Sequence, residues 1–286
     1  MGKLIIHAGY HKTGTTFINR KFFAKHADIH HLGKPYSEDS PIRELVDRLL
    51  GEKPYDPVRC KKLYDEFILP IQTNKIIIIS DGRIIKQNDK NSPKPIPERI
   101  LDLTEEVRVI VVIRKQYEYL KSLYVQHIGS NNEKRSFDEW FDSNWLKGSM
   151  LKSRLDYFVQ IKIYFDILGR DKVGIFLYEQ LRDDHEQFVN NLCNFIGCNV
   201  PKADNQDENT RPLNQRMTNL HRLINKNSAI YFVVKILKKI IPKKLSKLIS
   251  NSVFYRFNRY EPELSINRKK IVQEHAHTVN QNLLEK

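Results

Sequence analysis

The chain has 286 residues and a formal net charge of +14, with 40% hydrophobic and 29% charged residues. These proportions are typical of a folded globular protein and exclude a disordered chain. The three cysteines, Cys60, Cys193 and Cys198, show no ligand-like clustering and do not form a disulfide framework, which favours a reducing compartment. The N-terminal residues lack a signal-peptide pattern, so we expect a cytoplasmic protein.

The positive charge is concentrated late in the chain. Between Asn209 and Tyr260 there are 12 Lys and Arg residues and no Asp or Glu, so this segment carries nearly all of the net charge. Within it, residues 229–241 have an amphipathic helical pattern that is too short and too charged to span a bilayer. The segment predicts an anionic partner, and residues 229–256 permit peripheral contact with the inner face of a membrane. The alternatives are a docked helix with a solvated basic face and a polyanionic acceptor. Nucleic acid is not expected, because the aromatic spacing matches no nucleic-acid module.

In chain order, apolar and β-branched runs predict strands at residues 3–8, 75–80, 107–113 and 172–178. Helical patterns lie between them at residues 15–25, 57–67, 115–127 and 150–168, and one more follows the last strand at residues 183–196. Strands that alternate with helices predict an α/β fold of three layers, with a central, mostly parallel sheet flanked by helices. A proline-rich stretch, residues 92–97, predicts a surface loop. The last third is predicted to be helical, at residues 213–225, 229–241 and 266–284. We therefore expect an α/β core over residues 1–211, with a basic helical C-terminal extension over residues 212–286 packed on the same domain.

The loop after the first strand has the pattern of a phosphate-binding loop. Gly9 and Gly14 enclose four residues, and Thr15 opens a helix whose N-terminus favours an anion. In the nucleotide triphosphatase pattern a lysine follows the second glycine, but here that position is Thr15. The lysine is Lys12, two residues before Gly14. The pattern keeps the anion cradle and moves the cation to another part of the bound phosphate chain.

Two further features follow strand ends. Arg114 ends the third predicted strand, where open α/β sheets bind ligands, and its planar fork suits a phosphate; Ser122 lies eight residues on. Asp81 follows the second predicted strand and has three readings: a general base, a Mg²⁺-holding acid, or a cap on the following turn. His11 is a second candidate base, against the alternative of a solvent-facing loop residue.

The run Lys12-Thr13-Gly14-Thr15-Thr16 resembles the K-[ST]-G-T-[ST] loop of sulfotransferases that use 3'-phosphoadenosine 5'-phosphosulfate (PAPS). Arg114 and Ser122 resemble the 3'-phosphate motif of that family, although Lys115-Gln116 replace the Asn/Asp-Pro that often follows the arginine. The run Tyr178-Glu179-Gln180-Leu181 resembles a structural landmark of the family, in which Glu179 anchors the loop. Arg211 resembles a late basic contact to the 3'-phosphate.

The resemblance extends from about residue 3 to residue 211 and implies a P-loop-like fold. It further implies that Lys12 contacts the bridging oxygen of PAPS, with Thr13 to Thr16 around the 5'-phosphate, and that no metal takes part. The predicted function is sulfuryl transfer from PAPS to an acceptor hydroxyl, with Asp81 or His11 as the base and a carbohydrate or glycolipid, such as a lipid-linked sugar, as acceptor. The alternatives are a divergent P-loop kinase or NTPase that uses Mg²⁺ and ATP, and a non-enzymatic polyanion-binding protein.

Overall fold

A computed structural model describes residues 3–33, 36–37, 39–72, 74–85, 94–130, 133–145, 150–201 and 262–284. Contacts within the chain divide it into two compact units. Of the described residues, those in 3–115 and 156–201 belong to the first unit, and those in 116–155 and 262–284 to the second. The predicted boundary at residues 211–212, Arg211 and the basic segment from 209 to 260 lie outside the described residues.

A parallel sheet of five strands forms the centre of the first unit. Its strands are β1 Leu4–His7, β2 Ile29–Gly33, β3 Ile76–Ser80, β4 Val107–Ile113 and β5 Val173–Leu177, in the order β2-β3-β1-β4-β5. In register, Ile5 pairs with Ile78 of β3, and Ile6 pairs with Val109 of β4. The four predicted strands are confirmed. The prediction missed β2, because its sequence Ile-His-His-Leu-Gly is not an apolar run and it lies at the sheet edge.

A helical run follows β1 and is named α1. It is regular over Thr15–Phe17, widens by one residue per turn over Ile18–Phe22 and tightens over Phe23–Lys25. The other helices of the first unit are α2 Pro41–Leu49, α3 Pro57–Phe67, α4 Leu69–Gln72, α5 Ile96–Leu101, α9 Tyr157–Leu168, α10 Tyr178–Asp183 and α11 His185–Ile196. The second unit contains α6 Gln116–Ser130, α7 Phe137–Trp145, α8 Met150–Leu155 and α12 Ile266–Leu284.

Two predicted elements differ from the structure. The single helix predicted over residues 150–168 is two helices, because the Asp156 side chain accepts a hydrogen bond from the Val159 N–H at 3.2 Å and starts α9 there. The loop predicted over residues 92–97 is wrong at its end, where α5 begins at Ile96. Pro97 fits the first turn of that helix because the missing N–H has no helical partner there.

Both faces of the sheet are buried, which is the three-layer arrangement that the strand pattern predicts. On one face, inward side chains of β1, β3, β4 and β5 pack against α1 and α11 in one cluster that includes Ile5, Ile18, Phe22, Ile78, Ile110, Phe188 and Leu192. The alternate positions of the same strands, such as Ile6, Ile77 and Val109, are completely buried on the other face. The sheet is therefore rigid, and its carboxyl-end loops start from fixed positions.

The second unit has its own aromatic core. Side chains of α6, α7 and α12 pack together, including Tyr124, Phe137, Trp140, Phe141, Trp145 and Val272. Arg268 of α12 pairs with Asp142 at 2.5 Å and with Asp138 at 3.1 Å, both on α7. The helix predicted over residues 266–284 is confirmed. None of the helices in the described part of the chain is both long and apolar enough to cross a bilayer.

Candidate active site

The loop between β1 and α1 has an unusual backbone at two positions. Lys12 has φ 67°, and Gly14 has φ 75° and ψ 11°, both in the left-handed region. A Cβ at Gly14 would lie 2.7 Å from Cδ2 of Leu181, so glycine is needed there for conformation and for space. The Ile18 N–H donates to the Gly14 carbonyl at 3.0 Å, which starts α1. The amides of the first turn, which have no helical partner, follow Gly14 directly.

The threonines of the loop have different environments. Thr13 is completely buried, and its hydroxyl donates to the Tyr10 carbonyl at 2.6 Å, so this side chain stabilises the loop itself. Thr15 is half-buried and Thr16 is exposed, so both lie nearer to solvent. A Cβ on Gly9 would lie 2.7 Å from Cγ2 of Thr15, which shows how tightly the loop folds back on the helix start. Any contact of Thr13 with a phosphate would therefore use its backbone N–H.

Arg114, at the end of β4, lies against this loop. Its Nη1 donates to the Lys12 carbonyl at 3.1 Å, and its guanidinium carbon lies 4.5 Å from the centre of the Tyr178 ring. The Tyr157 hydroxyl donates to the Arg114 carbonyl at 2.9 Å. Three contacts from three parts of the chain thus fix this arginine beside the loop of residues 9–16, which we call the phosphate-type loop.

The charges at this place favour an anion. Burial, followed by the nearby charge of Arg114, lowers the pKa of Lys12 from its usual 10.5. Two cations that disfavour each other are stabilised when a phosphate or sulfate lies between them. The residues present therefore fit the phosphate-bearing end of a nucleotide, with Lys12 and Arg114 as the cationic groups and the helix start as the source of N–H donors.

Helix α10 lies beneath both parts of the site. Tyr178 and Leu181 contact the space next to Gly14, and Oε1 of Glu179 accepts a hydrogen bond from the Lys115 N–H at 3.0 Å. Glu179 is buried, and its Oε2 has no hydrogen-bond partner among the described residues. This helix therefore holds the loop after β4 through Glu179 and the loop after β1 through its neighbours.

Asp81 lies at the end of β3, next to the loop, but its carboxylate is already engaged. The side chain is 1% exposed, and Arg83 contacts it with Nη2 at 2.7 Å from Oδ2. The Arg83 backbone N–H also donates to Oδ1 at 3.0 Å, which closes a turn. A Cβ at Gly82 would lie 2.7 Å from the Gly9 carbonyl, so this turn touches the phosphate-type loop. This geometry matches the third interpretation of Asp81, in which its carboxylate caps the turn that follows β3.

The two histidines near the loop differ in exposure. His11 is exposed beside Lys12. His7 is buried in β1, and burial lowers its pKa to about 4, so it is neutral near pH 7. Its Nδ1 lies 2.8 Å from the Ser80 hydroxyl and 3.1 Å from the Asn19 side-chain oxygen. His7 therefore ties β1 to β3 and α1 and is screened from solvent.

The structure thus brings Lys12 to Thr16, His11, Asp81 and Arg114 to one edge of the sheet in the first unit. Ser122 is half-buried in the middle of α6, in the second unit, and only the resemblance links it with Arg114. The sequence reasoning missed Asn19, Ser80, Tyr157 and the part played by Tyr178. No spacing rule connects these residues with the loop, since they meet it only through the fold.

A parallel sheet that leads from its first strand through a Gly-Thr loop into a helix, with an arginine at the end of the adjacent strand, defines an α/β protein of the P-loop-like class. A model of the sulfotransferase domain matches residues 3–229, and the chain belongs to this family. The family consists of enzymes that use PAPS as the sulfuryl donor, so the kinase and non-enzymatic alternatives are set aside.

The chain is similar to several solved sulfotransferase structures, and the first of these shares its fold. A sulfotransferase from Alicyclobacillus acidocaldarius has a TM-score of 0.52 and 16% identity, over 76% of this chain and 88% of that one. A sulfotransferase domain from the curacin biosynthetic pathway has a TM-score of 0.47 and 11% identity, over 98% of this chain and 97% of that one. A mouse sulfotransferase complexed with 3'-phosphoadenosine 5'-phosphate (PAP) has a TM-score of 0.43 and 15% identity, over 70% of this chain and 61% of that one. No curated protein sequence matches the chain.

Proposed function

We propose that the chain transfers the sulfuryl group of PAPS to a hydroxyl of a carbohydrate or a lipid-linked sugar, through the site formed by Lys12 and Arg114. The contact between Arg114 Nη1 and the Lys12 carbonyl, at 3.1 Å, carries the proposal. It joins the loop after β1 and the end of the adjacent strand β4 into one cationic site. In this site Lys12 and Arg114 can each pair with one phosphate-bearing end of a doubly phosphorylated nucleotide.

In this proposal the 5'-phosphosulfate lies on the loop. The N–H groups of Gly14, Thr15 and Thr16 and the hydroxyls of both threonines hold the 5'-phosphate, while Thr13 contributes its backbone N–H. Lys12 reaches the oxygen that bridges phosphorus and sulfur. Arg114 takes the 3'-phosphate, with Ser122 and Arg211 as further contacts on the strength of the family resemblance.

The reaction is an in-line displacement at sulfur. The acceptor oxygen forms a bond to sulfur as the bond from sulfur to the bridging oxygen breaks, which leaves PAP and a sulfate ester. Negative charge develops on the bridging oxygen, and the Lys12 ammonium stabilises it. The proton of the acceptor hydroxyl goes to a general base.

His11 is the better of the two candidate bases. It is exposed beside Lys12, whereas the Asp81 carboxylate is buried and contacted by Arg83. His11→Asn is expected to lower kcat/KM by roughly 10²–10⁴-fold, the usual range for loss of a general base, with little change in Tm. Asp81→Asn is the matched variant. It should lower Tm, and its effect on kcat/KM should be smaller than that of His11→Asn. A loss of activity confined to Asp81→Asn, at unchanged Tm, would reverse the assignment.

Nucleotide preference tests the donor site. PAP should raise the Tm of the protein, whereas ATP with Mg²⁺ at the same concentration should raise it much less, because ATP has no 3'-phosphate. Lys12→Ala should reduce the PAP shift. Equal shifts with both nucleotides would contradict the placement of the 3'-phosphate at Arg114.

The acceptor is tested by direct sulfation. The protein is incubated with PAPS and separate pools of neutral glycans, acidic glycans, glycolipids and phenols, and sulfate transfer is detected by mass spectrometry. Glycan or glycolipid products support the proposal, and products from phenols alone contradict it.

We also propose that the protein is cytoplasmic and contacts the inner face of a membrane through residues 229–256. This proposal predicts that the protein sediments with anionic vesicles and not with neutral ones.

A further inference from the structure

We infer a zinc site, separate from the donor site, formed by His26, Cys193 and Cys198. One ligand atom from each side chain, the two sulfurs and a ring nitrogen, lies within 4.8 Å of the other two. Zinc–sulfur bonds of about 2.3 Å in a tetrahedron place two sulfurs about 3.7 Å apart, so side-chain movements of about 1 Å would close the site. Two thiolates and an imidazole are a common zinc ligand set.

The backbone around the cysteines brings them together. Cys193 is in the last turn of α11, and Gly197, with φ 83° and ψ 36°, ends that helix. The N–H groups of Gly197 and Cys198 both donate to the Cys193 carbonyl, at 2.7 and 3.1 Å, which turns the chain back on itself. Cys193 is completely buried, while Cys198 is half-buried, so the site has an inner ligand and one near solvent.

Both ring nitrogens of His26 have a backbone hydrogen-bond partner. Its Nε2 donates to the Asn199 carbonyl at 2.8 Å, and its Nδ1 accepts from the Asp28 N–H at 3.1 Å. Metal-ligating histidines use one ring nitrogen for the metal and give the other to a carbonyl or similar partner. Zinc at His26 would replace one of these two hydrogen bonds, and the other would keep the ring in place.

Asp28 adds negative charge next to the thiols. Its carboxylate accepts from the Asn199 N–H at 3.1 Å and from the Asn199 side-chain amide at 2.8 Å, which places it against the turn that contains Cys198. Three ligands from the protein leave a fourth position for water or another oxygen donor. His26 and Asp28 precede β2, at the amino edge of the parallel sheet, whereas the donor loop lies at the carboxyl edge. Zinc here would stabilise the fold and take no part in sulfuryl transfer.

Cobalt substitution tests the site in the full chain. The reduced protein is stripped with a chelator and titrated with Co²⁺, and we expect a thiolate-to-cobalt absorption band that saturates at one metal per chain. Zinc should displace the cobalt and should raise Tm by roughly 5–10 °C when it is about 100-fold above its Kd. Affinity for PAP should stay unchanged.

The variants are chosen to fold without metal. Cys198→Ser and His26→Gln change half-buried side chains and should abolish the band and the zinc-induced rise in Tm. Cys60→Ala is the control, because Cys60 lies in α3, outside the cluster, and it should keep both. A band retained by Cys198→Ser, binding without saturation, or a Cys193–Cys198 disulfide that forms equally fast with saturating zinc would overturn the inference.

Discussion

Replacement of Gly14 by alanine should perturb the proposed donor site through one added methyl group. The left-handed backbone at this position costs an alanine about 1–2 kcal/mol relative to glycine. The added Cβ would also lie 2.7 Å from Cδ2 of Leu181 and 3.2 Å from the Tyr178 ring. The end of a leucine side chain moves easily, but the ring supports the Arg114 guanidinium. Overpacking adds about 1 kcal/mol, so Gly14→Ala should lower the free energy of unfolding by about 2–3 kcal/mol.

Gly197→Ala separates backbone strain from damage to the site. Gly197 has nearly the same left-handed backbone, but its Cβ would meet only the flexible end of Lys3, at 3.2 Å. We expect urea unfolding to show a loss of about 1–2 kcal/mol for this variant. Isothermal titration with PAP should show at least a tenfold loss of affinity for Gly14→Ala and none for Gly197→Ala. If both variants keep the affinity of the unchanged protein, this loop does not hold the 5'-phosphate.

Four further outcomes follow from the site and its surroundings. Arg114→Lys keeps the charge but loses the planar fork, so affinity for PAP should fall about tenfold by titration calorimetry while affinity for 5'-AMP falls less. Because a bound phosphate favours protonated Lys12, whose pKa lies below 10.5 in the free protein, PAP binding should weaken as pH rises toward that value; Lys12→Gln should remove this dependence. His7 has its pKa lowered to about 4 from 6.5, so the unfolded chain takes up its proton first on acidification. Unfolding free energy should therefore fall by roughly 2 kcal/mol between pH 7 and pH 5, and His7→Asn should flatten that slope in urea titrations. Arg83→Ala leaves the buried Asp81 carboxylate without its ion pair and should destabilise the fold by about 2–3 kcal/mol, and adding Asp81→Asn should restore part of that loss in the same assay.

Most of the sheet was predictable because its strands are buried on both faces. Such strands are continuous apolar runs, as in Ile76–Ser80 and Val107–Ile113, and these can be read without any knowledge of their neighbours. The edge strand Ile29–Gly33 contains two histidines and a glycine, and only its pairing with β3 makes it a strand. The break at Asp156 was also hidden, because a capping aspartate inside a helical pattern is recognised only once the helix before it has ended.

The proposed donor site follows from the sequence to the extent that it is local. The loop from Gly9 to Thr16 has its spacing within one short segment, and Arg114 follows a recognisable strand. The environment of Asp81 was not predictable, since burial and a contact with Arg83 decide what its carboxylate can do. The cluster around His26 was also missed, because the histidine and the cysteines lie far apart in the sequence and the two cysteines alone have no ligand pattern.

The packing of Gly14 against Leu181 and Tyr178 has a consequence for the order of folding. The phosphate-type loop follows β1, yet the side chains that support it follow β5, the last of the five described strands, so the loop is synthesised well before its support. Every strand pair of the sheet joins segments that are distant along the chain, so long loops must close before the sheet exists. A growing chain that has not yet reached Leu181 cannot form the complete loop. Binding of PAP to chains of increasing length should therefore begin only once Leu181 and the helix α11 that covers the sheet are present, which makes the nucleotide a reporter of late folding.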